Sequence, residues 1–184
     1  RRMKAATALS KAGLKPLQLE MKEGLALNNG VQFSTAVGIL SWFTMRDLVR
    51  TASINTACTA QVMLGADTSY LRDLHRLRPH PGSVKVAAWI HGLMKGSKIR
   101  KAHERYDIDS EVQDPYNLRC AAAVLGTAYD LIEGAKETFE IEANSVTDNP
   151  VLLKEKGEYT RIISGGLFHG MPIAVKLYDL MQAM

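Results

Sequence analysis

The chain has 184 residues, of which 46% are hydrophobic and 23% charged, with a formal net charge of +4. This composition supplies a sizeable core for one domain and excludes disordered and collagen-like classes. The basic excess sits in Arg1–Lys4 and in the run KGSKIRKAHER at 95–105, which lacks the interleaved aromatics of a nucleic-acid surface, so no nucleic acid is expected as a partner.

In chain order, residues 7–12 read as the end of a short helix closed by Gly13. Pro16 suits the first turn of a second helix carrying Leu17, Met21, Leu25 and Leu27, which stops near Asn29-Gly30. Ser34 is a good N-cap for a long helix over 35–64. Its apolar residues Val37, Leu40, Phe43, Leu48, Ile54 and Met63 fall on most faces, which predicts a helix surrounded by protein. A domain of this size has little room to surround a helix about 45 Å long, so oligomerisation is expected. Asp67 is placed to cap a helix through Tyr70, Leu71, Leu74 and Leu77 that ends at Pro79. Ser83 is placed to cap another over 84–94, stopped by Gly96. Residues 97–116 are polar and read as loop. From Asn117, the series Leu118, Ala122, Leu125, Tyr129, Ile132, Ala135 and Phe139 follows steps of four and three, the seam of a helix bundle. Residues 144–163 break that period and allow a short strand pair, 151–153 with 159–163. Pro172 opens a last helix with Ile173, Val175, Leu177 and Leu180.

The N-terminus lacks the apolar stretch of a signal peptide. The uncharged segment 51–66 is too short and too rich in Thr, Ser, Asn and Gln for a membrane span. Cys58 and Cys120 form neither a CxxC pair nor a disulfide framework, which accords with the cytoplasm and argues against a Cys-based zinc site. His75 and His80 lie five apart across Pro79, not on one helix face, so no metal is expected. The chain begins with Arg and ends inside a helical pattern, so neighbouring segments are expected at both ends.

Four clusters at helix ends are unusual for a plain bundle. In 27–32, Asn28, Asn29 and Gln32 either satisfy local backbone groups or aim an amide at a ligand. In 113–120, Tyr116 and Arg119 are three apart and share a face in the first turn of a helix. Arg119 there is suited to hold a carboxylate by two parallel bonds, and Tyr116 to donate a hydrogen bond or carry a proton. An interhelix Arg–Asp pair with Tyr116 as packing is the alternative. The segment 142–150 is rich in carboxamides and carboxylates, which Asx turns alone explain. In 164–170, two glycines allow close backbone approach, and His169 is a ready proton carrier. No phosphate-loop, dinucleotide or nucleophile-elbow motif is present.

Taken together, KEGLALNNGVQ (22–32), HRLRPHPG (75–82), QDPYNLRC (113–120), EANSVTDNP (142–150) and SGGLFHG (164–170) resemble, in the same order, segments of the aromatic amino-acid ammonia-lyases. The His in FHG is similar to the histidine branch, where plant phenylalanine enzymes tend to have FQG. The resemblance implies an all-α fold, a long-helix bundle of the aspartase/fumarase-like type, with residues 1–184 a single central helical region of a larger lyase. It implies a homotetramer acting on a small amino acid, with L-histidine losing ammonia to give urocanate in histidine catabolism. It also implies a 4-methylidene-imidazol-5-one (MIO) group, formed from an Ala-Ser-Gly that this chain lacks. By the same resemblance, Asn29 lies beside that group or binds substrate, and Tyr116 sits against it. Arg119 holds the substrate carboxylate, Gln113 supports the polar network, Phe168 walls the pocket, and His169 bears on specificity. The chain departs from the family pattern at Leu167, where Asn is usual, at Asn28, at Met171, and at Tyr178-Asp179-Leu180. Two alternatives stand beside the histidine assignment. One is a phenylalanine or tyrosine lyase or an aminomutase, and the other a helical scaffold that has lost the chemistry.

Overall fold

The computed structural model describes residues 2–106 and 113–184. It is mostly helical, as the all-α expectation requires, and divides into two compact units, Arg1–Val31 with Val146–His169, and Gln32–Ser145 with Gly170–Met184.

The larger unit is built on two long helices, α3 (Gln32–Val62) and α8 (Ala121–Ala143), with α5 (Pro81–Met94) and α9 (Met171–Gln182) packed on α8. The seam predicted from the period of α8 is the one buried: Ala122, Ile132, Ala135 and Phe139 all face the core, and Leu118 continues it into the short helix α7 (Tyr116–Arg119). Against them α3 lays Trp42, Met45, Val49, Ala57 and Ala60, α5 lays Val86, Ala87 and Ile90, and α9 lays Ile173 and Leu180. Small residues set how closely these helices approach. A Cβ on Gly82 would lie 2.0 Å from the Gly126 carbonyl oxygen, and one on Gly126 would lie 2.3 Å from the Ser83 nitrogen. Glycine is therefore required on both sides of the α5–α8 crossing.

Several hydroxyls of α3 are satisfied by its own backbone. Ser53 Oγ donates to the Val49 carbonyl at 2.8 Å, and Thr44, Thr51 and Thr56 each bond the carbonyl four residues back. This back-bonding satisfies those hydroxyls as the helix enters the core, while the buried Thr35 Oγ1 has no partner among the described residues. Trp42 Nε1 donates to the Ile132 carbonyl at 2.8 Å, and the Arg46 guanidinium lies 4.5 Å over the Trp42 ring. The outward side of α3 remains apolar: Phe33, Val37, Leu40, Phe43, Leu48 and Ile54 are all exposed.

The smaller unit holds α1 (Ala5–Lys11), α2 (Glu23–Ala26) and an antiparallel pair, β1 (Val151–Glu155) with β2 (Glu158–Ile163). The strand pair agrees with the sequence reading and is longer by the residues nearest the turn. Lys156 and Gly157 turn it with φ of 52° and 94°, the positive pair that two-residue hairpins favour.

Several local expectations are corrected. The helix expected from Pro16 is reduced to α2. Lys22, just before it, has φ 68°, and Leu17 and Met21 are exposed, so no burial supports an earlier start. The long helix begins at Gln32, not after Ser34, because Gly30 with φ 96° completes the reversal and leaves Val31 ready to be buried. Asp67 caps nothing. Its carboxylate faces Arg100 at 3.4 Å, and the single helix expected there is broken at Leu71 into a 3-10 turn (Thr68–Tyr70) and α4 (Arg72–Arg76). Helix α5 starts at Pro81, so Ser83 lies inside it and not at its cap. Within the expected loop 97–116, Lys98–Tyr106 forms helix α6. Ser97 Oγ accepts the Arg100 N–H at 3.2 Å, and this cap with a run of good helix formers supports a helix in a strongly polar segment. The remainder of that loop, 107–112, lies outside the described residues.

Candidate active site

In the smaller unit, three of the four sequence clusters converge on one corner, Asp148-Asn149. The Asp148 carboxylate accepts from Lys22 Nζ, from Asn29 Nδ2 at 3.0 Å, and from the backbone N–H of Asn149 at 2.7 Å. The Lys22 ammonium, the Asn149 N–H and the Asn29 amide, in that order, hold its carboxyl down at about 2, against the small opposing effect of burial. Asn149 reaches the other way. Its Nδ2 donates to Ser164 Oγ at 3.2 Å, and its Oδ1 accepts the Gly165 N–H at 2.5 Å. The same two residues thus tie down the segment holding Asn29 and the one leading into Phe168 and His169. Phe168 is half-exposed and His169 exposed, and the His169 N–H closes a turn onto the Gly166 carbonyl at 3.0 Å.

The two asparagines of 27–32 separate cleanly. Asn28 is exposed and donates to the Gly24 carbonyl at 3.3 Å, the local role. Asn29 is half-buried and bonds across 119 residues of chain to Asp148. Among the described residues its Oδ1 accepts no hydrogen bond.

In the larger unit, Asp114, Tyr116 and Arg119 form a second cluster. Arg119 Nε donates to the Asp114 carbonyl at 2.7 Å, and the guanidinium lies 4.8 Å over the Tyr116 ring. The Asp114 carboxylate in turn accepts the Ala66 N–H at 2.8 Å. This arrangement fixes the Arg119 plane by its Nε while both terminal nitrogens are unbonded among the described residues, the fork geometry a carboxylate takes up. Among the described residues Arg119 makes no interhelix ion pair with an Asp; it meets the Asp114 backbone carbonyl. Tyr116 and Gln113 are exposed. Behind them the buried Tyr70 hydroxyl donates to the Leu118 carbonyl at 2.8 Å. Burial first, and Asp114 second, push that phenol up to about 12, so it remains a donor.

Sequence reasoning missed Lys22, Tyr70 and the reach of Asp148. Lys22 lies inside the KEGLAL segment, which marked its region but not its partner. Tyr70 read only as part of a helix, and nothing in its surroundings in sequence signals the bond to Leu118. A cleft of about 320 Å³ lined by Ile39, Trp42, Phe43 and Phe139 contains none of the candidate residues.

The family model for aromatic amino acid lyases matches residues 1–184. The chain belongs to that family. Among solved structures, a tyrosine aminomutase from Streptomyces globisporus is 32% identical over 100% of this chain and 37% of its own, with a TM-score of 0.83. A histidine ammonia-lyase from Trypanosoma cruzi is 31% identical over 97% of this chain and 32% of its own, with a TM-score of 0.80. A phenylalanine ammonia-lyase from Rhodosporidium toruloides is 29% identical over 98% of this chain and 26% of its own, with a TM-score of 0.82. This aromatic amino acid lyase chain therefore spans about a third of the length of these relatives, between 26% and 37%. Among its described residues, no helix is long and apolar enough to cross a membrane.

Proposed function

We propose that this chain is the central region of a cytoplasmic, homotetrameric ammonia-lyase that removes ammonia from L-histidine to give urocanate. The observation that carries the lyase reading is the Arg119 guanidinium, fixed at Nε and open at its two terminal nitrogens, within a family match over the whole chain. The histidine assignment rests on His169 in SGGLFHG and on the similarity to the histidine ammonia-lyase.

The residues take these roles. Arg119 binds the substrate carboxylate, and Gln113 supports the polar network around it. Phe168 walls the side-chain pocket, and His169 bears on which ring is accepted. The family generally uses the MIO group, and this chain's donor set fits it. The group offers a carbonyl oxygen and an imine nitrogen, both acceptors, so the Tyr116 hydroxyl, unpartnered among the described residues, would donate to it, and Asn29 would lie beside it or bind substrate. Its Ala-Ser-Gly precursor is absent from residues 1–184. When bound, the group supplies the electrophile that makes the amine a leaving group, so that a weakly acidic β-proton can be removed. Tyr116 would position or activate the reacting centre, and Asn29 would accept from the substrate amine.

The test is ultraviolet absorbance of the intact protein with L-histidine, L-phenylalanine and L-tyrosine in parallel. Urocanate formation from L-histidine, at a kcat/KM above that for the other two, is the expected result. Reaction with L-tyrosine or L-phenylalanine alone overturns the histidine assignment in favour of the second reading. That reading is an aromatic lyase or aminomutase, which the similarity to the tyrosine aminomutase favours. No reaction with any of the three favours the inactive scaffold, which Leu167 and Met171 motivate.

A further inference from the structure

Asp148 is ionised throughout the working pH range, and an ionised carboxylate only accepts hydrogen bonds. The side chain of Asn29 has one end that donates and one that accepts, and in isolation the two are nearly interchangeable. Contact with a carboxylate removes that freedom, because only the amide Nδ2 satisfies it. The Asn29 carbonyl oxygen is then turned away from Asp148, and it has no partner among the described residues. Asp148 is itself held from two other directions, by the Lys22 ammonium and by the Asn149 N–H. Lys22 supplies that charge from a left-handed backbone position, φ 68°, immediately before α2. The corner is further anchored through Asn149 to Ser164 and Gly165. Each of these contacts lies within the smaller unit.

We propose that Asp148, held by Lys22, is a positioning residue that locks the Asn29 carboxamide in one orientation and presents its Oδ1 as an acceptor for the protonated amine of an amino-acid substrate. The inference rests on the ammonia-lyase reading for the identity of the ligand, while the orientation itself rests only on the carboxylate chemistry. With Asp148 replaced by Asn, the neighbour offers a donor as readily as an acceptor. Asn29 is then free to flip, and in the flipped state it turns an NH2 toward a cationic amine.

The experiment is a double-mutant cycle in the intact protein, with Asp148→Asn, Asn29→Ala and the double variant. Two quantities are read, kcat/KM for the amino acid that reacts and the melting temperature at neutral pH. Asp148→Asn is expected to lower kcat/KM by about tenfold to a hundredfold, the size of loss a misplaced contact group causes. The double variant is expected to be no worse than Asn29→Ala alone, because Asp148 acts through Asn29. A merely structural role predicts losses that multiply. A wild-type kcat/KM in Asp148→Asn, or multiplying losses in the double variant, overturns the proposal. If the unaltered protein turns over no amino acid, the lyase reading fails separately, and the melting temperatures decide the contact. Non-additive shifts then support the locked orientation, and additive shifts overturn it.

Discussion

Two residues carry separable predictions. Arg119 owes its fixed plane to a backbone carbonyl, so replacing it leaves no buried carboxylate unpaired. Arg119→Ala is therefore expected to fold normally and to lose roughly tenfold to a hundredfold in kcat/KM, the worth of a charge-assisted hydrogen bond. Steady-state kinetics with circular dichroism checks both halves, and an unchanged kcat/KM removes Arg119 from the site. Asp148 has a pH signature of its own. Its folded carboxyl titrates at about 2, below the ordinary value of 3.8. A depressed acid stabilises the fold above the unfolded value, and that contribution is lost as pH falls through the folded one. The gap in melting temperature between the natural protein and Asp148→Asn is thus expected to be widest above about pH 4 and to close toward about pH 2. A gap that does not change with pH means that Asp148 is not held as an ion.

At the scale of elements, the α5–α8 crossing is the most exacting contact. Gly126→Ala places a methyl 2.3 Å from the Ser83 nitrogen, and backbone cannot rotate aside as a side chain can. The substitution is expected to cost about 1–3 kcal/mol or more by overpacking, measured by urea unfolding. A neutral result means the two helices slide apart freely. The same crossing shows how far sequence reached. The α8 seam was legible because its period of burial is its period in sequence. The glycines meeting across it were not, since Gly82 and Gly126 are paired only once two helices pack. The α6 helix was missed for a related reason: it is strongly polar, and its contacts, Ser97 with the Arg100 N–H and Arg100 with Asp67, exist only once it has formed. Likewise Leu71 carries the right character for one helix through 68–77, yet the chain breaks there and starts again.

At the scale of the molecule, the larger unit leaves a wide apolar surface exposed, with Phe33 83% and Leu40 69% accessible. That surface includes the outward side of α3 with Leu40 and Phe43. Such a surface calls for cover by further protein, and the homotetramer proposed above supplies it. Light scattering of the intact protein is expected to give the mass of a tetramer, and Leu40→Asp with Phe43→Asp to give smaller species. An unchanged mass in that variant means α3 does not form the interface.

The sequence by itself determined the helical class, the order of the long helices, the strand pair and the segments that carry polar groups. Each of these follows from local period, from capping or turn chemistry, or from ordered motifs. Only the tertiary structure decided which polar groups within those segments meet. Asn28 and Asn29 are adjacent and chemically identical, yet one bonds its own helix and the other bonds Asp148. Arg119 read equally well as half of an interhelix Arg–Asp pair, yet among the described residues it takes the Asp114 backbone carbonyl and keeps its fork open. Hydrogen bonds between distant residues depend on distance and direction in space, and a one-dimensional pattern of residue types does not contain either.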